Sequence, residues 1–213
     1  MLIKRLVVGP LQSNCYVVID EASNSLAVID PGGDASTISR VVAESGARLT
    51  HILLTHGHPD HVFSAGALQE EFPDASLLMH EQDADVMSSD IMGFITQFYD
   101  MQEYRPMRPS GYVGDGQRMA VGELELTVIH TPGHSPGSVC YIAGDVAFTG
   151  DTLFAGGIGR TDLPGGSYQQ LMQSIQSKLL KLSDDTTIYP GHGPESTIGD
   201  ERRENPFLPA STA

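Results

Sequence analysis

The chain has 213 residues, of which 40% are hydrophobic and 18% are charged, a composition typical of a soluble globular protein. This length suits one domain with its own core, so we expect a single domain over residues 1–213. Acidic residues number 27 against 12 Lys and Arg, which gives a formal net charge of −15. Such a surface repels phosphate backbones, so nucleic acids and anionic membranes are excluded as favoured partners.

The N-terminal stretch MLIKRLVVGPLQ contains an apolar run that is too short for a signal peptide and is typical of a strand. No apolar run approaches the length of a transmembrane helix. Cys15 and Cys140 each lie in an apolar, strand-like run, which favours buried thiols over a disulfide or a nucleophile. We therefore expect a reducing, cytoplasmic setting.

Short apolar runs in the first part of the chain predict strands over residues 2–8, 15–19, 26–29, 51–54 and 77–79. The stretch DPGGD at 30–34 predicts a turn. Apolar residues at helical spacing predict a helix over 36–45 that ends at Gly46. A second helix is predicted over 61–72, with Pro59 near its first turn, where proline is tolerated.

The segment from about 81 to 116 is rich in methionine and aromatic residues, and we interpret it as core packing rather than as a lid or a substrate wall. Further strands are predicted over residues 123–129, 138–142, 146–149 and 187–189. A long helix is predicted over 167–182, because Ser167 suits an N-cap and Leu171 and Ile175 share one apolar face.

The stretch THGHPDH, residues 55–61, contains three histidines and one aspartate within six positions. Imidazole nitrogens and carboxylate oxygens are ligands that suit zinc, iron and manganese. A turn at a strand end aims alternate residues in different directions, so these four groups do not all point at one metal. We therefore predict that His56 and His58 bind one metal, while Asp60 and His61 bind a second metal close to it.

Two metals need further ligands, and three more glycine-containing loops supply them just past predicted strands. The loops are HTPGHSPG with His134, FTGDT with Asp151 and YPGHGP with His192. Sites at strand ends in mixed α/β sheets can converge on one crevice. Seven ligands from four loops make two sites and one bridge, and Asp151 is the natural bridge because a carboxylate has two oxygens.

The motifs THGHPDH, TPGHSPG, TGDT and YPGHGP, together with VIDPGGD, resemble the metallo-β-lactamase superfamily in type and order. The resemblance covers essentially the whole chain. It implies one domain of the α/β class, an αββα four-layer sandwich with two divalent metals at one edge. The metal ligands that it implies are His56, His58, Asp60, His61, His134, Asp151 and His192.

The stretches GGIGRTDLPGGSYQQLMQSI and PGHGPESTIGDERRENPFL look like the short bacterial glyoxalase II-like hydrolases. This resemblance implies hydrolysis of a small-molecule thioester such as S-lactoylglutathione by a metal-bridging hydroxide. Zinc is the expected metal, with iron or manganese as competing metals, and Asp60 is the expected catalytic residue that orients the hydroxide and handles its proton. Typical glyoxalase II carries a helical C-terminal region that helps bind glutathione, and this chain ends soon after His192, so the thiol carrier stays open.

The stretch GRTD at 159–162 also resembles persulfide dioxygenases of the same superfamily, which hold one iron with two histidines and an aspartate. Their last histidine is usually not followed by GP…NPF, so the hydrolase is preferred. Two further hypotheses stay open, a lactonase-like hydrolase on the same fold and a metal-dependent binding module without turnover. We expect Arg160 and Asp162 to form a local ion pair that supports the loop after Asp151.

Metal-bound histidines need their second ring nitrogen fixed by a hydrogen bond. Candidates for this supporting role are Asp30, Thr55, Thr131 and Ser135. The three histidines outside the motifs lack the glycine-rich strand-end context, and we interpret them as structural or supporting residues: His51, His80 and His130.

Overall fold

The computed structural model describes residues 1–84 and 98–208, which form two six-stranded β-sheets, a short ribbon and five α-helices. The first sheet contains, in spatial order, β1 (Leu2–Val8), β2 (Ser13–Asp20), β3 (Ser25–Ile29), β4 (Arg48–Leu53), β5 (Ser76–Met79) and β6 (Gly111–Tyr112). The pairs β1–β2 and β2–β3 are antiparallel, and the later pairs are parallel. Four parallel strands, β3 to β6, therefore end at one edge of this sheet, next to the THGHPDH loop.

The other strands are β7 (Arg118–Val121), β8 (Leu124–His130), β9 (Val139–Ala143), β10 (Val146–Gly150), β11 (Leu153–Phe154), β12 (Gly157–Ile158), β13 (Thr187–Pro190) and β14 (Ser196–Thr197). β11 and β12 form the ribbon, and the other six form the second sheet in the order β14–β13–β10–β9–β8–β7. Only β10 and β13 are parallel neighbours within this sheet. Their register shifts between Phe148 and Gly150, so the ladder ends irregularly just before Asp151.

The helices are α1 (Ala35–Ser45), α2 (Pro59–Val62), α3 (Ala65–Glu71), α4 (Tyr168–Ser177) and α5 (Ile198–Glu204). Single 3₁₀ turns cover Glu81–Asp83 and Leu179–Lys181. In the part of the chain that is described, no helix combines the length and the apolar character that crossing a membrane requires.

Strand β2 shows how the layers are held together, because all eight of its residues are buried. Successive side chains of a strand point to opposite faces. Val17 therefore packs in a cluster with Ile38 of α1, while Tyr16 packs in a second cluster with Tyr141 of the other sheet. A third cluster joins the outer face of the second sheet to α4 and α5. The layers are helix, sheet, sheet and helix, which confirms the predicted αββα sandwich.

Most predicted strands and helices are confirmed, with ends that move by a few residues. Gly46 closes α1 in the left-handed region at φ 69°, and Ser167 caps α4 by accepting a hydrogen bond from the Gln170 N–H. The prediction of one continuous helix over 61–72 is wrong, because the helix is interrupted between α2 and α3. The N–H of Ser64 bonds to the Pro31 carbonyl at 2.9 Å, a tertiary contact that local sequence does not reveal.

The methionine- and aromatic-rich middle segment is described only in part, since residues 85–97 lie outside the described residues. In the described part, Tyr99 is 9% exposed and its ring lies 4.3 Å from that of Phe63. This contact agrees with the core-packing interpretation for Tyr99. Cys15 and Cys140 are free and buried, as predicted.

Candidate metal centre

The THGHPDH loop divides its four polar groups because it changes conformation at Pro59. His58 is extended, with φ −66° and ψ 145°, and Pro59 opens the one-turn helix α2. Proline suits this position because its fixed φ is already helical and its missing N–H has no helical partner to lose. The side chains of His56 and His58 therefore project from the extended part of the loop, whereas those of Asp60 and His61 project from α2.

The first group of candidate ligands consists of His56, His58 and His134, all three of them buried. Nδ1 of His58 lies 2.8 Å from Nε2 of His134. The His56 ring centroid lies 4.8 Å from the centroids of both other rings. One nitrogen from each ring lies within 4.8 Å of the others, a spacing that a single metal ion can span.

The second group consists of Asp60, His61 and His192. Oδ2 of Asp60 lies 3.1 Å from Nε2 of His192 and 3.5 Å from Nε2 of His61. The two imidazole Nε2 atoms are 3.3 Å apart. These atoms come from loops of both sheets, so the group exists only in the folded chain.

Asp151 lies between the two groups, as predicted for a bridge. Its Oδ1 is 3.4 Å from Nε2 of His61, and its Oδ2 is 3.5 Å from Nε2 of His134 and 3.7 Å from Nε2 of His192. The carboxylate thus lies near both groups, with Oδ1 facing His61 and Oδ2 lying between His134 and His192. The structure brings all seven predicted residues together in one crevice.

Two buried atoms of this crevice test whether a metal fits. Nε2 of His56 and Oδ1 of Asp151 have no hydrogen-bond partner among the described residues. Buried polar atoms in folded proteins are almost always satisfied. Both atoms carry lone pairs that a cation can accept, so the residues present fit a metal site.

Asp30 holds two of the candidate ligands in place through hydrogen bonds, as the sequence indicated. Its Oδ2 accepts a hydrogen bond from Nδ1 of His61 at 3.0 Å and from the Thr55 hydroxyl at 2.6 Å. Its Oδ1 accepts the Thr55 N–H at 2.7 Å. The Thr55 hydroxyl also lies 3.0 Å from Nδ1 of His56. One carboxylate therefore orients a histidine of each group, directly for His61 and through Thr55 for His56.

Arg160 supports His134 in a way that the sequence did not indicate. Its carbonyl accepts a hydrogen bond from Nδ1 of His134 at 2.8 Å. Its guanidinium pairs with both carboxylate oxygens of Asp162 at 2.8 Å, which confirms the expected ion pair and lowers the pKa of Asp162 to about 2. The exposed pair therefore belongs to the loop whose main chain holds His134.

The loop of His192 is held by side chains from β2 that sequence analysis missed. Nδ2 of Asn14 donates to the carbonyls of Pro190 and Gly193 at 2.9 Å, and the Tyr16 hydroxyl donates to Pro190 at 2.6 Å. At the same end of β2, the Ser13 hydroxyl donates to the Asp60 carbonyl at 2.5 Å. Nothing in the local sequence marks these contacts, because they join residues that are far apart in the chain.

Gly191 is required by close approach rather than by its backbone conformation. A Cβ atom at this position would overlap Oδ1 of Asp151 and lie 2.7 Å from Cε1 of His61. The glycine of YPGHGP therefore lets the last loop close over the other ligands.

Two histidines of the first group, His56 and His58, are neutral at neutral pH. Burial, followed by the charge of His61, lowers the pKa of His56 well below its ordinary value. Burial and the neighbouring His134 lower the pKa of His58 to about 4. Both rings therefore keep free lone pairs at neutral pH, the form in which histidine binds metals.

The second group is charged. Burial alone would lower the pKa of His61, but the carboxylates of Asp60 and Asp151 outweigh it and raise the pKa to about 10. Burial also opposes the charge on His192, where the hydrogen bond to Asp60 raises the pKa. Burial raises the pKa of Asp60, but His61 and His192 bring it below its ordinary value. At neutral pH a protonated His61 therefore balances part of the charge of these carboxylates.

The remaining candidates for a supporting role lie apart from the ligand nitrogens. The Thr131 hydroxyl is 3.0 Å from that of Thr152, and the Ser135 hydroxyl donates to Asp83, so neither bonds to a ligand histidine. His51 bonds to its neighbour Thr50, and His80 stacks on His130 at 4.2 Å between ring centroids. Among the described residues, these three histidines belong to none of the ligand groups, and Asp83 is a buried residue that sequence analysis missed.

A sequence profile of the metallo-β-lactamase superfamily matches residues 8–192. This chain belongs to the metallo-β-lactamase superfamily. Among curated relatives, the hydroxyacylglutathione hydrolase GloC of Haemophilus influenzae is 39% identical over 211 residues, which cover 98% of each protein. The profile match includes all seven ligand candidates, so the family assignment and the geometry agree.

Three solved structures of this superfamily fold resemble the chain closely. The B3 metallo-β-lactamase BLEG-1 has a TM-score of 0.88 and 34% identity, covering 97% of this chain and 99% of its own. TTHA1623 in a di-iron-bound form has a TM-score of 0.83 and 36% identity, with coverages of 96% and 100%. ETHE1 from Myxococcus xanthus has a TM-score of 0.82 and 31% identity, with coverages of 100% and 86%. The metallo-β-lactamase superfamily fold is thereby established for this chain.

Proposed function

We propose that this protein is a binuclear metal-dependent hydrolase of small-molecule thioesters, of the glyoxalase II type, with S-lactoylglutathione as the representative substrate. The observation that carries the proposal is the Asp151 carboxylate, which lies within 3.7 Å of ligand nitrogens of both groups. The 39% identity to a hydroxyacylglutathione hydrolase over nearly the whole chain supports the thioester class.

We propose that the centre holds two divalent ions, one on each ligand group, with Asp151 shared between them. Nitrogen and oxygen donors together suit zinc, and the similarity to a di-iron-bound structure makes iron the competing ion. Bound divalent metals supply Lewis acidity to a carbonyl oxygen and lower the pKa of water towards about 7. The donor set, rather than the fold alone, therefore supports hydrolysis at neutral pH.

The chain's own residues supply positioning and proton transfer. Hydrolysis forms a C–O bond between water and the acyl carbon and breaks the C–S bond, so that water's oxygen ends in the acid. We propose that the Asp60 carboxylate, whose Oδ2 lies 3.1 Å from Nε2 of His192, accepts the proton that the attacking water loses. The departing thiolate takes up a proton afterwards, and as a good leaving group it needs no strong acid beside it.

Phe154 limits one side of the crevice. Its ring centroid lies 6.4 Å from that of His192, with the two rings nearly perpendicular. Phe154 belongs to the ribbon that follows Asp151 and is half-buried. We propose that this ring contacts the acyl group or the adjoining methylenes of the thiol carrier and keeps bulk water from that side.

A second candidate function is a mononuclear iron persulfide dioxygenase. The 31% identity and TM-score of 0.82 to ETHE1 favour it, together with the GRTD stretch at 159–162. This reaction needs one iron and consumes dioxygen, so the two candidates differ in measurable products. The similarity to a B3 metallo-β-lactamase adds hydrolysis of a lactam or a lactone as a variant of the first candidate.

The proposed partners are those predicted from the sequence: a small-molecule thioester, and neither nucleic acid nor membrane, because the net charge is −15. The two free, buried cysteines suit the proposed reducing, cytoplasmic setting.

The test compares the two reactions on one preparation. Purified protein is supplied with S-lactoylglutathione while thiol release is followed, and separately with glutathione persulfide while oxygen uptake is followed. We expect thiol release without oxygen uptake. Oxygen uptake without thiol release would replace the hydrolase by the dioxygenase. Turnover of a lactone or a β-lactam alone would keep the hydrolase and discard the thioester.

A further inference from the structure

Asp83 is a buried carboxylate that belongs to none of the ligand motifs. It ends the 3₁₀ turn Glu81–Asp83 and is 1% exposed. Its Oδ2 accepts hydrogen bonds from the Gly57 N–H at 2.9 Å and the Ser135 hydroxyl at 2.6 Å. Its Oδ1 accepts the Gly137 N–H at 2.6 Å. Three donors from two distant loops thus converge on one side chain.

The donors of these bonds lie beside metal-ligand candidates. Gly57 directly precedes His58, and Ser135 directly follows His134. The facing nitrogens of these two histidines are 2.8 Å apart. Their separation depends on how the two loops lie relative to each other, and the Asp83 carboxylate bonds to both loops.

We propose that Asp83 is a positioning residue that sets the geometry of the first ligand group by joining the loops 55–58 and 134–138. The inference rests on the proposed function in one respect, namely that His56, His58 and His134 hold a metal. It parallels the role of Asp30, which supports the second group through His61.

Gly137 provides independent support for this connection. A Cβ atom there would lie 2.6 Å from Cγ and Oδ1 of Asp83, a distance that real Cβ atoms essentially never show. The absence of a side chain at Gly137 therefore allows its main chain to contact the Asp83 carboxylate.

The test substitution is Asp83→Asn, which keeps the shape of the side chain. An amide has one acceptor oxygen and one donor nitrogen. In one orientation the NH₂ group faces the Gly57 N–H, and in the other it faces the Gly137 N–H. The first orientation releases the 55–58 loop, and the second leaves the 134–138 loop held by the Ser135 hydroxyl alone, whereas the core around the side chain stays filled.

Asp20→Asn is the matched control. Asp20 accepts the Ala22 N–H with Oδ1, and the Ser23 hydroxyl and the Glu123 N–H with Oδ2. The set of donors is the same in kind and number. Asp20 ends β2 at the opposite end from Ser13, which contacts Asp60, so roughly 20 Å of strand separates it from the centre. The control therefore costs stability without touching the ligand loops.

The readout is zinc affinity, measured by competition with a chromogenic chelator, alongside the thermal unfolding midpoint. Loss of a partner that orients metal ligands typically weakens binding by about 10–100-fold. We expect Asp83→Asn to weaken the binding of one of the two zinc ions at least tenfold and to leave the affinity for the other within twofold of the wild type. Asp20→Asn should lower the midpoint but leave both affinities within twofold.

A second set of variants, made in a His58→Ala protein, shows which ligand group holds the ion whose binding is weakened. In His58→Ala, only the second group keeps all its ligands, so adding Asp83→Asn should leave the remaining zinc affinity unchanged. Equal weakening of both ions, unchanged affinities, or weakening in the His58→Ala background would each overturn the proposal. If the wild type binds a single ion, an unchanged affinity in Asp83→Asn overturns it as well, and a tenfold loss supports it.

Two arrangements keep the test decisive. If Asp83→Asn fails to fold, Ser135→Ala removes one of the three bonds and should weaken the same ion by a smaller factor, while an unchanged affinity would overturn the proposal. The readout does not depend on turnover. Absence of thioester hydrolysis with the expected affinity changes would therefore reject the proposed function and retain the role of Asp83.

Discussion

Asp30 and His61 form a buried pair in which the carboxylate accepts a hydrogen bond from Nδ1 at 3.0 Å, with both side chains almost completely shielded from solvent. This bond keeps a proton on Nδ1, so Nε2, which faces Asp151 and His192, is the nitrogen that a metal can bind. The pair thus determines which nitrogen of His61 faces the centre, and it joins the turn after β3 to the ligand loop after β4.

Asp30→Asn should weaken zinc binding at the second group by about 10–100-fold, since it removes the partner that fixes the His61 ring. An amide nitrogen facing Nδ1 would favour the tautomer with the proton on Nε2. A protonated Nε2 has no lone pair left with which to bind a metal. Chelator competition measures the loss, with Asp20→Asn as the control. A wild-type affinity in Asp30→Asn would show that ring orientation is fixed by other contacts.

Asp151→Ala should remove the link between the two ligand groups. We expect metal-dependent hydrolysis to fall by more than about a hundredfold, beyond the range seen for outer partners of metal ligands. Circular dichroism should show that the chain stays folded, because the two sheets pack through other residues. Retained turnover in a folded, metal-poor Asp151→Ala protein would exclude Asp151 as the bridge.

The convergence of the seven candidate ligands could be predicted from the sequence because each candidate lies in a short local motif after a strand. The supports could not, because Asp83, Asn14 and Arg160 act through bonds to residues 26 or more positions away. The break between α2 and α3 has the same origin, since Ser64 bonds to the Pro31 carbonyl instead of continuing the helix.

Some secondary structure was also missed for physical reasons. Strands β11, β12 and β14 are two residues long, too short for a period of two to show. Helix α5 is mostly polar, with Ile198 as its main apolar anchor in the third core cluster. Its start is marked only by Thr197, whose hydroxyl accepts a hydrogen bond from the Asp200 N–H at 3.1 Å.

Gly191→Ala should impair the centre more than it destabilises the fold. The added methyl group would displace Asp151 and His61, whereas the backbone of Gly191 is not in the left-handed region. Gly114→Ala is the matched control, because a Cβ there meets nothing within 4 Å. We expect at least about a tenfold loss of zinc affinity for Gly191→Ala and none for Gly114→Ala. Equal zinc affinities of the two variants would show that the contact of Gly191 with Asp151 and His61 does not matter for the centre.

The cysteines should be unreactive in the folded protein. Burial raises the pKa of Cys140 to about 11 and that of Cys15 well above its ordinary value, so both thiols stay protonated at pH 8. The thiolate is the reactive form. Iodoacetamide should therefore modify neither residue at pH 8 in buffer and both in guanidinium chloride. Mass spectrometry counts the adducts, and a native adduct would show that one of these strands opens.

The central claim is a metal centre built from seven side chains that performs hydrolysis. The most direct measurement removes metal with a chelator, returns zinc in known amounts per chain, and follows S-lactoylglutathione hydrolysis at each addition. We expect no turnover in the stripped protein and a rise that ends at two zinc ions per chain. Full turnover in the stripped protein, or a maximum at one ion, would contradict the central claim.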